Sequence, residues 1–285
     1  MLVAAFARKQ EDRDGHAACL DTRGMSTVIA AIDLGPSSAR VLYHAAGFAR
    51  LLSARLEVLH VSGEVREFVE SRVRDFCARV GPCEIDPAEL DIVARSGTVS
   101  DTIYREAKNN ASLVVMGSRG HRGLANLILG SSSKAFLSNT PCPVLLVPPT
   151  DVDIVNIADR ASLTCGPVLA AIDLTEACGH QLRLASECAA IAGQPLLLMT
   201  VAPAKRDADT AKEMLRERAR QAGLEPHALI VRRGRVAEEI ARCAVQEDAG
   251  LVVMGLRSRP RSTPGVIAAA VLKTNSAFVL AVPGC

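Results

Sequence analysis

The chain writes out one plan twice. Val28-Ile-Ala-Ala-Ile-Asp-Leu34 returns as Val168-Leu-Ala-Ala-Ile-Asp-Leu174, and Leu113-Val-Val-Met-Gly117 returns as Leu251-Val-Val-Met-Gly255. Between them, Gly97-x-Val99-x-x-x-Ile103-x-x-x-Ala107 matches Gly234-x-Val236-x-x-x-Ile240-x-x-x-Ala244. The order is kept and the offset stays near about 140 residues, far beyond the roughly 20–50 residue period of a solenoid. Whatever one copy folds into, the chain of 285 residues must hold two of them.

Each copy alternates two periodicities. Residues 27–33, 55–61, 89–95, 112–117 and 143–148 are short, almost continuously apolar runs, the pattern of strands buried on both faces of a parallel sheet. Helical spacing fills the gaps. Val65, Phe68, Val69, Val73 and Phe76 are placed on one helix face, and Ala211, Met214, Leu215, Ala219 and Ala222 repeat that spacing in the second copy. Strands alternating with helices require right-handed crossovers and an open, doubly wound sheet. The expected fold class is α/β: two tandem three-layer α/β/α domains, each with a five-stranded parallel sheet. Pro148-Pro149-Thr150 ends the first copy, because proline cannot donate to a ladder. The expected divisions are a flexible N-terminal extension at 1–24, a first domain at 25–149, a connector at 150–162 and a second domain at 163–285.

Composition narrows the function. Aromatic residues make up only 3% and there is no Trp, which argues against an oligonucleotide reader built on stacking platforms. A net charge of +2 gives neither nucleic acid nor a membrane surface much to attract. No apolar run reaches the ~18–20 residues of a membrane span. The nine cysteines form no C-x-x-C pair, which speaks against a structural zinc site and suits the reducing cytoplasm.

One stretch points to chemistry: Gly117-Ser-Arg-Gly120-His-Arg-Gly-Leu-Ala-Asn-Leu-Ile-Leu-Gly130-Ser131-Ser132-Ser133-Lys134. It follows a strand and leads into a helix. Gly117 lets a backbone come close to a ligand, and Gly120 permits a turn with positive φ. Gly130 opens a helix whose first amides, near Ser131, Ser132 and Ser133, can meet a phosphate favoured by the helix dipole. Arg119, His121 and Arg122 add positive charge. The plainer alternative is a turn followed by a serine helix cap. In an open α/β sheet the ligand crevice lies at the carboxyl ends of the strands where their order reverses, so Ala31, Ile32 and Asp33 are placed beside this loop. The alternative for Asp33 is a turn or helix cap, since Asp173 keeps its place in the second copy.

Gly117, Gly120, Gly130 and Ser131 match every fixed position of the glycine loop in the ATP-binding branch of the universal stress protein family, which this chain resembles. Asn139-Thr-Pro-Cys-Pro-Val-Leu-Leu-Val-Pro148 is similar to that family's last strand. The resemblance implies an adenine-nucleotide α-hydrolase-like fold with strand order 3-2-1-4-5 in each domain. It implies ATP as cofactor, with or without Mg2+ or Mn2+. It places Asp33 on the ribose hydroxyls and the backbone near Ala31 and Val61 beside adenine, with Met116 next to Gly117 in the same set. The family often carries Ser two residues beyond this Asp, where this chain has Gly35. It commonly pairs domains through the last strand, so 143–148 is expected to pair with 278–282 as an internal pseudo-dimer. Homodimerisation of the whole chain stays open.

The second copy departs from the loop. Ser258 stands at the Gly120 position, Arg257-Ser-Arg-Pro-Arg-Ser-Thr-Pro264 follows, and no Gly-Ser pair opens the next helix. ATP is not expected there. Arg257, Arg259 and Arg261 are a solvated face or a site for another anion. Three functions stay in view: an ATP-binding stress-response or signalling module, a slow ATP-hydrolysing enzyme, and a scaffold without nucleotide. No G-x-x-x-x-G-K-[ST] loop occurs and Asp33 is the one obvious acidic candidate, which weighs against efficient turnover.

Overall fold

The computed structural model describes residues 6, 26–80, 85–87, 90–118, 129–158, 161–205, 207–256, 264–274 and 277–284. In chain order the first copy forms β1 (Thr27–Ile32), α1 (Ser38–Leu52), β2 (Arg55–Val61), α2 (Arg66–Val80), β3 (Asp91–Arg95), α3 (Val99–Asn110), β4 (Ala111–Gly117), α4 (Ser131–Leu137) and β5 (Val144–Val147). Two short strands follow, β6 (Val155–Asn156) and β7 (Ser162–Leu163). The second copy forms β8 (Val168–Ala171), α5 (Gly179–Ala192), β9 (Leu196–Val201), α6 (Ala208–Gln221), β10 (Ala228–Arg232), α7 (Val236–Gln246), β11 (Leu251–Leu256), α8 (Pro264–Thr274) and β12 (Phe278–Pro283).

The main strands join one sheet in the order β10-β9-β8-β11-β12-β5-β4-β1-β2-β3. Each copy therefore runs 3-2-1-4-5, with every pairing inside a copy parallel. Where the copies meet, β12 pairs β5 antiparallel, through Val279↔Leu146, Leu280↔Leu145 and Ala281↔Val144. Period-2 alternation sends Val28 and Ala30 to one face and Ile29 to the other. One face is covered by α1, α2, α5 and α6, the other by α3, α4, α7 and α8, and each core layer contains side chains of both copies. Gly97 and Gly234 have φ of 123° and 142°, a region that favours glycine, which explains why both copies keep glycine just before α3 and α7.

Three details depart from the sequence reading. Helical spacing puts Val65 and Phe68 on the buried face of α2, yet they are 66% and 48% exposed. Val65 precedes the first helical residue, and Phe68 stands about 100° round the helix from Val69. The sheet-facing row is Val69, Val73 and Phe76. In α6, Ala211, Leu215 and Ala219 are buried, whereas Ala222 is the exposed C-cap. The connector also carries structure of its own, since β6 and β7 pair antiparallel through Val155↔Leu163.

That hairpin is pinned onto α1. A Cβ on Gly47 would lie 2.7 Å from Val155 Cγ2, so only glycine admits the approach. Tyr43 donates to Val155 O at 3.2 Å, and Arg40 and Arg50 donate to the carbonyls of Val152 and Ile157. Of the first 25 residues only Phe6 is described, with its ring buried edge-on to Phe48 at 6.3 Å. The described cysteines Cys77, Cys142, Cys165, Cys178, Cys188 and Cys243 are buried. Burial pushes the thiols of Cys77 and Cys165 up to about 11. No helix among the described residues is long and apolar enough to cross a membrane.

Candidate functional site

Parallel pairing brings the carboxyl ends of β1, β2 and β4 to one edge. Ala31 lies between Leu59 on β2 and Met116 on β4. Ala31, Val61 and Met116 face the same core layer, whereas Ile32 turns its side chain into the opposite one. Ile32 can therefore offer this edge only its backbone.

Asp33 follows directly. Its Oδ1 accepts hydrogen bonds from Gly35 N at 2.9 Å and from Ser38 Oγ at 3.1 Å. In the second copy Asp173 Oδ1 accepts from Thr175 N at 3.0 Å and from Thr175 Oγ1 at 2.6 Å. Both aspartates close the turn after their strand. The hydroxyl that Gly35 lacks is supplied three residues later by Ser38. A buried histidine escaped the sequence reading. His60 donates from Nδ1 to Ile32 O at 2.9 Å, and its buried Nε2 has no hydrogen-bond partner among the described residues. A histidine inside an apolar strand run was the available signal.

The loop is clasped at its base. Ser118 N donates to Val147 O at 3.1 Å, and Gly130 N donates to Ser118 O at 3.0 Å. The strand's exit and the helix's start are thereby held together. Gly130 is the N-cap of α4, at φ −61° and ψ 155°, with no side-chain cap. Lys134 N closes the first turn onto Gly130 O at 3.0 Å, so the amides of Ser131, Ser132 and Ser133 precede the first helical bond. Ser131 is exposed, Ser132 half-buried and Ser133 buried. Ser133 Oγ donates to Gly117 O at 3.4 Å, which commits that hydroxyl to the protein. Arg119 and Gly120, with His121 and Arg122, lie outside the described residues.

The matching edge of the second copy encloses a cavity of about 410 Å3 between the ends of its strands. Arg257, Arg259 and Arg261 lie outside the described residues. Among the described residues no group of three or more His, Cys, Asp or Glu side chains could hold a metal ion.

Comparison with known proteins agrees with this fold. Residues 79–148 match the model of the universal stress protein family. Universal stress protein A homolog 1 of Coxiella burnetii is 34% identical over 137 residues, an alignment that covers 42% of this chain and 94% of that protein. Universal stress protein YxiE of Bacillus subtilis is 31% identical over 144 residues, 42% of this chain and 97% of its own length. Among solved structures, a universal stress protein described as putative from Pseudomonas aeruginosa superposes with a TM-score of 0.67 at 20% identity, over 92% of this chain and 94% of that one. One from Archaeoglobus fulgidus gives 0.63 at 20% identity, over 91% and 96%. At that identity the likeness shows the fold across nearly the whole chain.

Proposed function

The chain belongs to the universal stress protein family, and on that premise we propose that its first domain, residues 25–149, binds ATP and that the tandem protein acts as a cytoplasmic stress-response or signalling module. The observation that carries this reading is the clasp of Ser118 to Gly130 ahead of α4. It presents three leading amides beside a residue without a Cβ, and such a helix start suits phosphate oxygens. In this reading the backbone near Ala31 and Val61 flanks the base, with Met116 and Gly117 beside it, and Asp33 meets the ribose hydroxyls. Ser131 and Ser132 add hydroxyl donors, and Ser133 helps through its amide. Arg119 and Gly120 complete the loop in this reading. The burial of the described cysteines accords with a reducing compartment.

Thermal unfolding with and without ATP tests the proposal. A ligand at one hundred times its Kd stabilises the folded state by about 2.7 kcal/mol, so the midpoint is expected to rise by several degrees. Gly130→Val is the control. The backbone at φ −61° and ψ 155° is one a β-branched residue adopts freely, so the variant folds while its side chain fills the cradle. An ATP response that survives in Gly130→Val, or is missing from the wild type, refutes the assignment.

A further inference from the structure

The second copy has lost the glycine loop but kept a cavity. Its volume of about 410 Å3 falls within the range of small-molecule sites, roughly 300–1,000 Å3. It opens at the carboxyl ends of β8, β9, β11 and β12, where the strand order reverses between β8 and β11. Open α/β sheets place ligands in that crevice.

The lining has a definite chemistry. Met199, Ile240, Met254 and Ile267, all on one core layer, supply apolar wall. Gln181 and Thr200 are the buried polar side chains among the described lining residues. The ionisable groups there are the carboxylates of Asp173 and Glu176, the imidazole of His180 and the buried thiol of Cys178, with no Lys or Arg among the described lining residues. A phosphate buried here would lose its hydration and face two carboxylates. The helix that follows begins with Pro264, which has no N–H to offer an anion.

The wall is also held in place before any ligand arrives. Gln181 Nε2 donates to Ala171 O at 2.8 Å and to Val253 O at 3.0 Å, strapping β8 to β11 at the cavity. Gly255 leaves room for this amide, since a Cβ there would lie 2.9 Å from Gln181 Oε1. The repeat puts Val41 at the corresponding place in the first copy. The second copy has exchanged an apolar contact for a polar strap, and a preformed wall lowers the ordering cost of binding.

We propose that this cavity binds an uncharged, mostly apolar small molecule with one or two hydrogen-bonding groups, independently of nucleotide in the first domain. The probes are N-phenyl-1-naphthylamine and its sulfonated analogue 8-anilinonaphthalene-1-sulfonate, which differ by one negative charge. The full chain, labelled at its methionine methyls, is titrated with each by fluorescence and by NMR. The neutral probe is expected to saturate at one per chain, to move the Met199 and Met254 methyl signals and to leave Met116 in place. The sulfonate is expected to bind at least tenfold more weakly. Ile267→Trp fills the cavity and weakens the neutral probe at least tenfold, and Ala171→Leu does the same from the β8 side should the first variant fail to fold. Gly130→Val leaves the neutral probe unaffected, which separates this test from that of the ATP site. Equal affinity for both probes, unmoved Met199 and Met254 signals at saturation, or full binding in both filled variants overturns the proposal.

Discussion

His44 shows how burial overrides a nearby charge. It lies fully buried on α1, its ring 4.6 Å from that of Phe278 on β12. Ile154 N donates to its Nε2 at 3.3 Å, so the ring must be neutral, with its proton on Nδ1 donated to Arg40 O at 2.8 Å. Asp153 Oδ1 is only 3.5 Å away, yet burial dominates and lowers the pKa from 6.5 to about 4. The unfolded chain takes this proton near 6.5 and the folded chain only near 4. The stability tied to it is therefore complete above 6.5 and is lost as pH falls toward 4, by about 3 kcal/mol for a shift of this size. Urea midpoints across that window are expected to fall in the wild type and to stay nearly level in His44→Leu. That variant starts about 1–3 kcal/mol lower at neutral pH, because Ile154 N–H loses its acceptor. Glu57 works in the opposite sense. Burial, then the neighbouring Glu106 and Asp91, raise it to about 7, so its contribution is lost as pH rises from 4.5 through 7.

At the scale of elements, the strands were the most legible feature. Runs such as Leu113-Val-Val-Met116 are buried on both faces, and their sequence signature is correspondingly unbroken. The boundaries at Pro143 and Pro148 hold to within a residue. Helix faces were less legible, because spacing alone does not say where a helix starts, and Phe68 was assigned to the wrong side of α2. The hairpin of β6 and β7 went unseen because strands of two residues carry no periodicity. Its support on α1 rests on Gly47, and Gly47→Leu is expected to cost about 1–3 kcal/mol by overpacking. Urea unfolding measures that cost, and faster amide exchange at Val155 and Leu163 locates it. At the candidate site, glycine spacing pointed to the stretch whose ends, Ser118 and Gly130, the structure joins, and the repeat marked Asp33 as a position common to both copies. The cavity stayed hidden, since empty space is left by side chains from distant strands and no single run encodes it. Gln181 was its one trace, a polar residue where the other copy has Val41.

The whole molecule is bound by shared cores as well as by sheet. Leu145 and Leu280 are partners across the antiparallel junction, both with no exposed surface and both in the same core layer. Leu280→Ala is expected to cost about 2–5 kcal/mol and to lower one calorimetric transition that includes both copies. Two separate transitions, only one of them shifted, would contradict a common core. The junction also decides a ratio. Were the copies separate chains meeting through these strands, like could join like, giving particles with two glycine-serine loops or with none. Here β5 and β12 occupy each other within one polypeptide. Every molecule thus carries one loop of each kind, in a stoichiometry that neither expression level nor concentration can alter.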